Sequence, residues 1–552
     1  MRRSPSWRPV LAIVSLVALA LSGCSETSEK STPAAPPQGG FLRIGQVGTT
    51  GTLNPYAGGG FDIYANIFPF LIQFNLETVE IEPYFATRWT TSNDGRTWTF
   101  KTQPNARWSD GQPMTARDAA FTLNMTTRFK DGPTANYASY VNFLERAEAL
   151  DDQTVVLHYD RPVGAVLPQA GWVRILPEHV WGPLAAGDGQ GIKGFENLPS
   201  EGKPVVSGGP WMLTKYEKNE VTLFERNPHY FGPRPALDGF GVRYFADRDA
   251  LVTALKVGDI DAIDGVPPSA AEGLKSAGFV VESTPGIDYH ALDINPNPEK
   301  TRHKEILNPT VRRAFEHAID RQQIAQVVFS GYASPGAANI PPANGFWHNP
   351  KVVPLPFSPD EANRLLDQLG FNRGPDGVRV ANGEPMSYEV LLQPADNREF
   401  EILRSGFERI GVKLTPRPLD RAALSQAQRA PNGKYLEYDF ALSRGGSGGF
   451  DPDFGLSTFT CEALGVINNS GYCNPAYDQL YNQQEAAPQS ERVPIVHRMQ
   501  EMLNEARARV VIVYVDQIDA WSKDWSGFQE SPRGMFSTLS PKTLTSVHKV
   551  AK

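Results

Sequence analysis

The chain has 552 residues, too many for a single hydrophobic core, so two or more lobes are expected. Its 61 acidic against 53 basic residues give a formal charge of −8, which argues against nucleic-acid binding, where a basic footprint is needed. With 49 Gly, 46 Pro and 10% aromatic residues, the composition suits a folded, loop-rich protein with apolar stacking surface to spare.

The first element in the chain is an export signal. Arg2, Arg3 and Arg8 flank an apolar run from Val10 to Leu21 that is too short to span a bilayer comfortably, and small residues follow. The string Leu21-Ser22-Gly23-Cys24 resembles the lipobox of bacterial lipoproteins. That resemblance implies clipping of residues 1–23 and acylation of Cys24, which becomes the first residue of the mature protein. An ordinary signal peptide with a chance Cys is the alternative. No later run reaches the apolar length of a transmembrane helix, so the expected location is extracytoplasmic, lipid-anchored to the cell membrane, on the periplasmic side if there are two membranes. Residues 24–40 (CSETSEKSTPAAPPQGG) are polar, Pro-rich and Gly-ended, and read as a flexible tether.

The folded part starts near Phe41. FLRIGQVG reads as a buried strand, and GRTWTFK (95–101) alternates like a strand with one exposed face. Residues 115–129 predict a helix with Thr115 as N-cap and Asp118 three residues on. DDQTVVLHYDRP (151–162) is a strand after a turn. WMLTKYEKNEVTLFER (211–226) is strand, turn, strand, and another strand covers 240–245. A helix over 247–257 ends at Gly258, and Asp259-Ile260-Asp261-Ala262 starts a short strand. A second block begins near Tyr289. Residues 308–331 form a helix pair, 358–370 a helix capped by Ser358 with Glu361 after it, and 398–411 a helix ending at Gly411 before the strand VKLTPRPL. A strongly apolar strand at 510–515 lies close to the end. Strands alternate with helices in this half, which predicts a mixed α/β lobe.

Catalytic patterns are sparse. Gly445-Gly446-Ser447-Gly448-Gly449 satisfies G-x-S-x-G, which would make Ser447 the nucleophile of a secreted hydrolase. The glycines run into Phe450-Asp451-Pro452, however, and only His497 and His548 follow, so a Gly-rich strand end where another backbone comes close is the better reading. The nine His show no metal spacing, and neither a Walker loop nor a dinucleotide fingerprint occurs, so no metal, no cofactor and no enzymatic activity are expected. With Cys24 spent on lipid, Cys461 and Cys473 remain as an even pair in an oxidising compartment; a disulfide is the natural reading and two free thiols the alternative.

Four strings then carry a resemblance. GGPWMLTKYEKNEVTLFERNPHYFGPRPALDGFGVRYFADRDALVTALKVGDIDA (208–262), with its N-P-x-Y-F-G and A-L-x-x-G-D-I-D-A parts, is similar to the signature region of the extracellular solute-binding proteins of family 5. These are the peptide- and nickel-binding components of ABC importers. NPTVRRAFEHAIDRQQIAQVVFSGYASPGAANIPP (308–342), SPDEANRLLDQLGF, and the late region from YDFALSRGG through DPDFGLSTFTC to GYCNPAYDQL also match, in order.

The resemblance implies a two-lobe α/β fold of the periplasmic-binding-protein type (class II), with a hinge and ligand between the lobes. Lobe I would be 41–288, with an inserted subdomain over about 56–205. Lobe II would be 289–514, and 515–552 would return to lobe I. The implied function is capture of short peptides by a monomeric, lipid-anchored receptor that hands them to ABC permease and ATPase subunits. An oligosaccharide, a modified peptide or a nickel chelate is the alternative cargo. The strand through Arg444, Gly445 and Gly446 would meet an extended ligand, with Arg444 pairing a carboxylate. Tyr56, Tyr514, Phe346 and Trp347 would wall the cleft. Peptide binders of the family commonly carry an Asp three residues before the Asp-Pro pair, facing the ligand's ammonium; here that position is Gly448, which leaves Asp439, Asp451 and Asp453 as candidate substitutes. The Cys461–Cys473 pair matches a loop disulfide of dipeptide-type relatives.

Overall fold

The computed structural model describes residues 39–48, 52–57, 61–200, 202–429, 436–446, 448–537 and 540–551. Cys24, the signal and most of the tether lie outside the described residues, as does Ser447. No helix among the described residues is long and apolar enough to cross a membrane.

One eleven-stranded sheet organises the body. From one edge its order is Lys413–Pro418, Ser387–Leu392, Phe440–Gly446, Val280–Ile294, Arg509–Trp521, Ala262–Asp264, Phe41–Val47, Gly239–Phe245, Val221–Arg226 and Trp211–Glu217, with Ala333–Pro335 added beside Arg509–Trp521. Pro416 and Pro418 sit on the outermost strand, where a residue without an N–H costs no ladder bond. The parallel pairing of Phe41–Val47 with Gly239–Phe245 explains why FLRIGQVG reads as buried: Leu42 and Ile44 are fully enclosed.

Two long antiparallel strands, Val280–Ile294 and Arg509–Trp521, run through both halves of this sheet. Val280 to Pro285 pair with Trp521 to Asp516, and Tyr289 to Asp293 pair with Tyr514 to Arg509. The register breaks between Pro285 and Tyr289. Gly286 sits in that break, where an added Cβ would lie 2.2 Å from the Val515 carbonyl oxygen. Each half carries its own core. Leu42, Ile44, Phe224 and Phe240 belong to one cluster, and Leu292, Phe315, Phe407, Phe440 and Ile512 to another. A smaller cluster joins Leu251, Leu255 and Leu274 of two helices to Ile263, Ile518 and Ala520 of the sheet.

The last long strand extends six residues beyond the 510–515 of the sequence pattern, because Asp516, Gln517 and Asp519 interrupt the apolar run while Ile518 and Ala520 keep facing the core. The strand before it was visible in sequence only from about Tyr289, since Glu282, Ser283 and Thr284 are polar and exposed or half-exposed.

A separate four-stranded antiparallel sheet, ordered Ala86–Thr91, Thr97–Thr102, Thr154–Tyr159 and Leu144–Asp151, carries the helix Ala116–Arg128 on one face. The cap of that helix is a full capping box: Thr115 accepts from the helix start and Asp118 accepts the Thr115 N–H at 2.8 Å. The predicted caps at Ser358 and Gly258 are also present, Gly258 with φ +79°. The helix pair of the 308–331 string is Pro309–His317 and Arg321–Val327. Its charged residues are structural. Glu316, nearly enclosed, binds Arg321 at 3.0 Å and Arg507 at 2.7 Å, while Arg312 donates to the Ile306, Leu307 and Ala506 carbonyls. A buried carboxylate needs such paired and hydrogen-bonded company.

Cys461 and Cys473 form a disulfide, closing the segment between them into a ring. Closing a loop of this size contributes about 2–4 kcal/mol, so a reductant, or Cys461→Ser with Cys473→Ser, is expected to lower the melting temperature measured by calorimetry. Gly286→Ala is expected to destabilise the protein by about 1–3 kcal/mol, because the methyl overpacks against a main-chain carbonyl; unchanged denaturant unfolding of this variant would contradict the tight crossing.

Candidate functional site

A cavity of about 540 Å³ lies between the segment 448–485 and, facing it, Phe74, the segment 139–143 before the last strand of the smaller sheet, and the segment 168–172. Phe74, Tyr140, Phe143 and Trp172 line one side, and Asp453, Phe454, Val466, Ile467, Tyr481 and Glu485 the other. The walls mix aromatic and aliphatic side chains with polar and acidic ones, Asp451, Asp453, Glu462, Asp478 and Glu485 among them. Phe454, Val466 and Ile467 are exposed large hydrophobics, an arrangement that suits an apolar ligand group better than bulk water.

The loop that starts the second wall is fixed from behind. Phe450 is fully buried and packs edge-on against Phe74 at 5.5 Å, so a side chain from the Gly-rich segment inserts into the core of the first half. Asn344 donates to the Gly449 and Phe450 carbonyls at 2.9 and 3.0 Å. Gly448 has φ +79°, and an added Cβ would stand 2.9 Å from the Phe454 ring. Both the left-handed backbone and the ring exclude an Asp at this position without rearrangement.

Acidity enters from other positions. Asp451 is consumed by a two-pronged ion pair with Arg492, at 2.8 and 2.9 Å, and both side chains are buried. The Arg492 guanidinium lies over the Trp347 ring at 4.8 Å and donates to Gln484 Oε1. Gln484 Nε2 in turn donates to Asp453 at 2.6 Å, and Gln169 from the opposite wall donates to its other oxygen at 3.0 Å. Asp453 thus has two neutral donors and, among the described residues, no cation paired with it directly. Burial pushes its pKa up, with Arg492 pulling only partly the other way. Glu485, on the same wall, is raised to about 7, first by burial and then by the negative charge of Asp453. Among the described residues, neither Asp453 nor Glu485 forms an ion pair with a cation.

The sequence-derived residues divide. Asp451 and Asp453 line the cavity. Tyr56 is buried elsewhere, bonded to Thr126 at 3.0 Å and packed on Tyr137 and Trp181. Tyr514 is buried, its hydroxyl donating to the Ala338 carbonyl and accepting from the Ala337 N–H. Trp347 is enclosed behind the wall with Leu456 and Tyr477, and Phe346 packs beside it. Arg444 is half-exposed and pairs with Asp396 at 2.8 Å. Gly445 lies against the Tyr289 ring, which an added Cβ would meet at 2.5 Å, and Gly446 lies against Asp288 and the Ile287 carbonyl. These two glycines make room for the neighbouring strand Val280–Ile294. Asp439 instead binds the enclosed Lys300 at 3.0 Å.

Sequence reasoning missed Trp172, Phe74, Tyr140, Phe143 and Glu485. Trp172 packs tilted against Phe70 and edge-on against Phe74, and its indole N–H, shielded from solvent, makes no hydrogen bond among the described residues. None of these residues stands in a recognisable motif; an aromatic excess between 68 and 85 and between 137 and 143 was the one available signal.

Residues 80–464 match the family described as bacterial extracellular solute-binding proteins, family 5 Middle. Over 555 aligned residues the chain is 26% identical to Protein XP55 of Streptomyces lividans, covering 98% of this chain and 96% of that protein. It is 24% identical to the protein named "Probable di/tripeptide-binding protein 5" of Pseudomonas aeruginosa, over 95% and 96% of the two chains. Among solved structures, the ABC transporter-associated periplasmic binding protein DppA of Helicobacter pylori, in complex with the peptide STSA, superimposes with a TM-score of 0.73 at 22% identity, covering 93% of this chain and 98% of that one. The mixed α/β body has the two-lobe fold of these binding proteins. The chain belongs to the bacterial extracellular solute-binding proteins of family 5, the substrate-binding components of ABC transporters rather than enzymes.

Proposed function

We propose that this protein captures short peptides with a free N-terminus in the cavity between its lobes and delivers them to an ABC permease, tethered to the membrane through Cys24. In this reading the lobes are 41–288 with 515–552, and 289–514, and they meet where the two long strands change register. The observation that carries the peptide assignment is the pair Asp453 and Glu485 in a cavity that also presents aromatic and aliphatic side chains. Half-buried carboxylates without an ion-pair partner among the described residues attract a cation, and an ammonium beside a hydrophobic side chain is what a short peptide brings. The names of the Pseudomonas and Helicobacter relatives support the same class.

Asp453 and Glu485 take the role that an Asp at 448 plays in peptide-binding relatives. The apolar rim of Phe454, Val466 and Ile467, with Trp172 opposite, receives side chains.

The test is a thermal-shift and calorimetric screen of the tetherless protein with di- to tetrapeptides, their N-acetylated forms, sugars and metal chelates. Free peptides are expected to raise the melting temperature. A response to a sugar or chelate with none to any peptide overturns the assignment. Asp453→Asn is expected to weaken peptide binding by about 1.5–3 kcal/mol, roughly ten- to a hundredfold, and N-acetylation of the peptide to weaken it comparably. Equal affinity for free and acetylated peptides would place the ammonium elsewhere.

The pH dependence follows from the raised carboxylates. An ammonium favours ionised Glu485, so affinity is expected to rise with pH as that group ionises near 7. Above about 8 the free peptide's own α-amine loses its proton, and affinity falls again. Calorimetry across pH 5.5 to 9 should show this maximum, and a flat profile would remove Glu485 from the site.

A further inference from the structure

The sequence shows no metal-binding spacing, yet the fold gathers three ligand-type side chains away from the cavity. His290 stands on the long strand Val280–Ile294, and Asp396 and Glu399 stand where the helix Asn397–Arg409 begins. One donor atom from each lies within 4.8 Å of the others. His290 Nδ1 is 2.8 Å from Glu399 Oε2. Asp396 Oδ1 accepts from Arg444 Nη2 at 2.8 Å, and its Oδ2 accepts the Gln393 N–H at 3.2 Å.

The second observation is an orphan. Glu399 is only 1% exposed, and its Oε1 is enclosed without any hydrogen-bond partner. An enclosed carboxylate oxygen left unpaired is costly, and such atoms call for an unseen ion or water. Charge points the same way. Two enclosed carboxylates face one half-exposed guanidinium and one imidazole, so a dication would balance what Arg444 balances only in part. The imidazole ring is held in place by the edge of Phe329, 5.0 Å between centroids, and its side chain is 15% exposed, which leaves an entry path.

We infer that His290, Asp396 and Glu399 form a divalent transition-metal site, with zinc the best fit and water completing the coordination. One imidazole and two carboxylates match the nitrogen and oxygen ligands of Zn²⁺, whereas Ca²⁺ would demand six or more oxygens. The metal would clasp the helix start to the long strand, and it would compete with Arg444 for Asp396. The site is independent of the peptide cavity.

The full protein, stripped with a chelator, is titrated with zinc chloride by calorimetry, with magnesium chloride as control. One zinc per chain and no magnesium response are expected. Glu399→Gln and His290→Gln are each expected to weaken zinc by about tenfold or more, while Arg444→Gln, which frees Asp396, tightens it. X-ray absorption of the zinc-loaded wild type, which does not depend on any variant folding, is expected to show nitrogen and oxygen ligands at about 2.0–2.2 Å and a histidine signature. Absence of stoichiometric zinc binding, a coordination shell without histidine, or unchanged affinity in a folded Glu399→Gln variant overturns the inference and leaves a His290–Glu399 hydrogen bond in its place.

Discussion

Everything in this molecule hangs on the backbone pairing of Val280–Ile294 with Arg509–Trp521. A ladder of antiparallel hydrogen bonds is stiff along its length, so the two cores that grow on either side of it inherit a fixed axis. The ladder is interrupted between Pro285 and Tyr289, where Gly286 presses against the Val515 carbonyl. A register break concentrates bending, since the flanking bonds are kept while the residues between them are free of regular pairing. Beyond the break, Asp293 and Arg509 lock the strands again through an enclosed ion pair at 2.6 and 2.9 Å. A second, smaller register shift falls between His290 and Ala291, so the wider break at Pro285–Tyr289 is the longer of two interruptions in the ladder.

The cavity depends on a second chain of contacts that starts far from any ligand. Trp347 supports Arg492, Arg492 neutralises Asp451 and orients Gln484, and Gln484 holds Asp453 at the wall. One buried cation thus fixes one acid by pairing and a second by relay. This division explains how two acids in the same Asp-Pro-Asp string take different roles: the first is spent on an ion pair with Arg492, and the second is held by neutral donors only. The left-handed turn at Gly448 belongs to the same arrangement, because it lets Phe454 fold over the loop.

Much of the architecture was legible because its signals are local. The Thr115 capping box, the Ser358 cap and Gly258 mark helix ends through side chains only a few residues apart, and periodic apolar residues marked the buried strands. Segment order carried the family and, with it, the two-lobe fold. The long strands were read short because their outer halves alternate polar and apolar residues, which a search for apolar runs truncates. The site was less legible. Asp451 and Asp453 were found through a string, whereas Glu485 acquires its character only from burial beside Asp453, and Trp172 from a wall built some 280 residues away in sequence. Gly445 and Gly446 are conspicuous in sequence as open backbone, but the neighbouring strand's Tyr289 and Asp288 account for them.

The bond between Gln169 and Asp453 spans the cavity from wall to wall. Asp453 and Glu485 hold their protons more tightly than free carboxylic acids because water is kept from them. Any separation of the walls that breaks this bond and rehydrates the two groups would return their acidity toward that of free carboxylic acids. In the peptide-capture reading, the hydration of these two carboxyls and the contact between the walls are therefore linked through a single side-chain hydrogen bond.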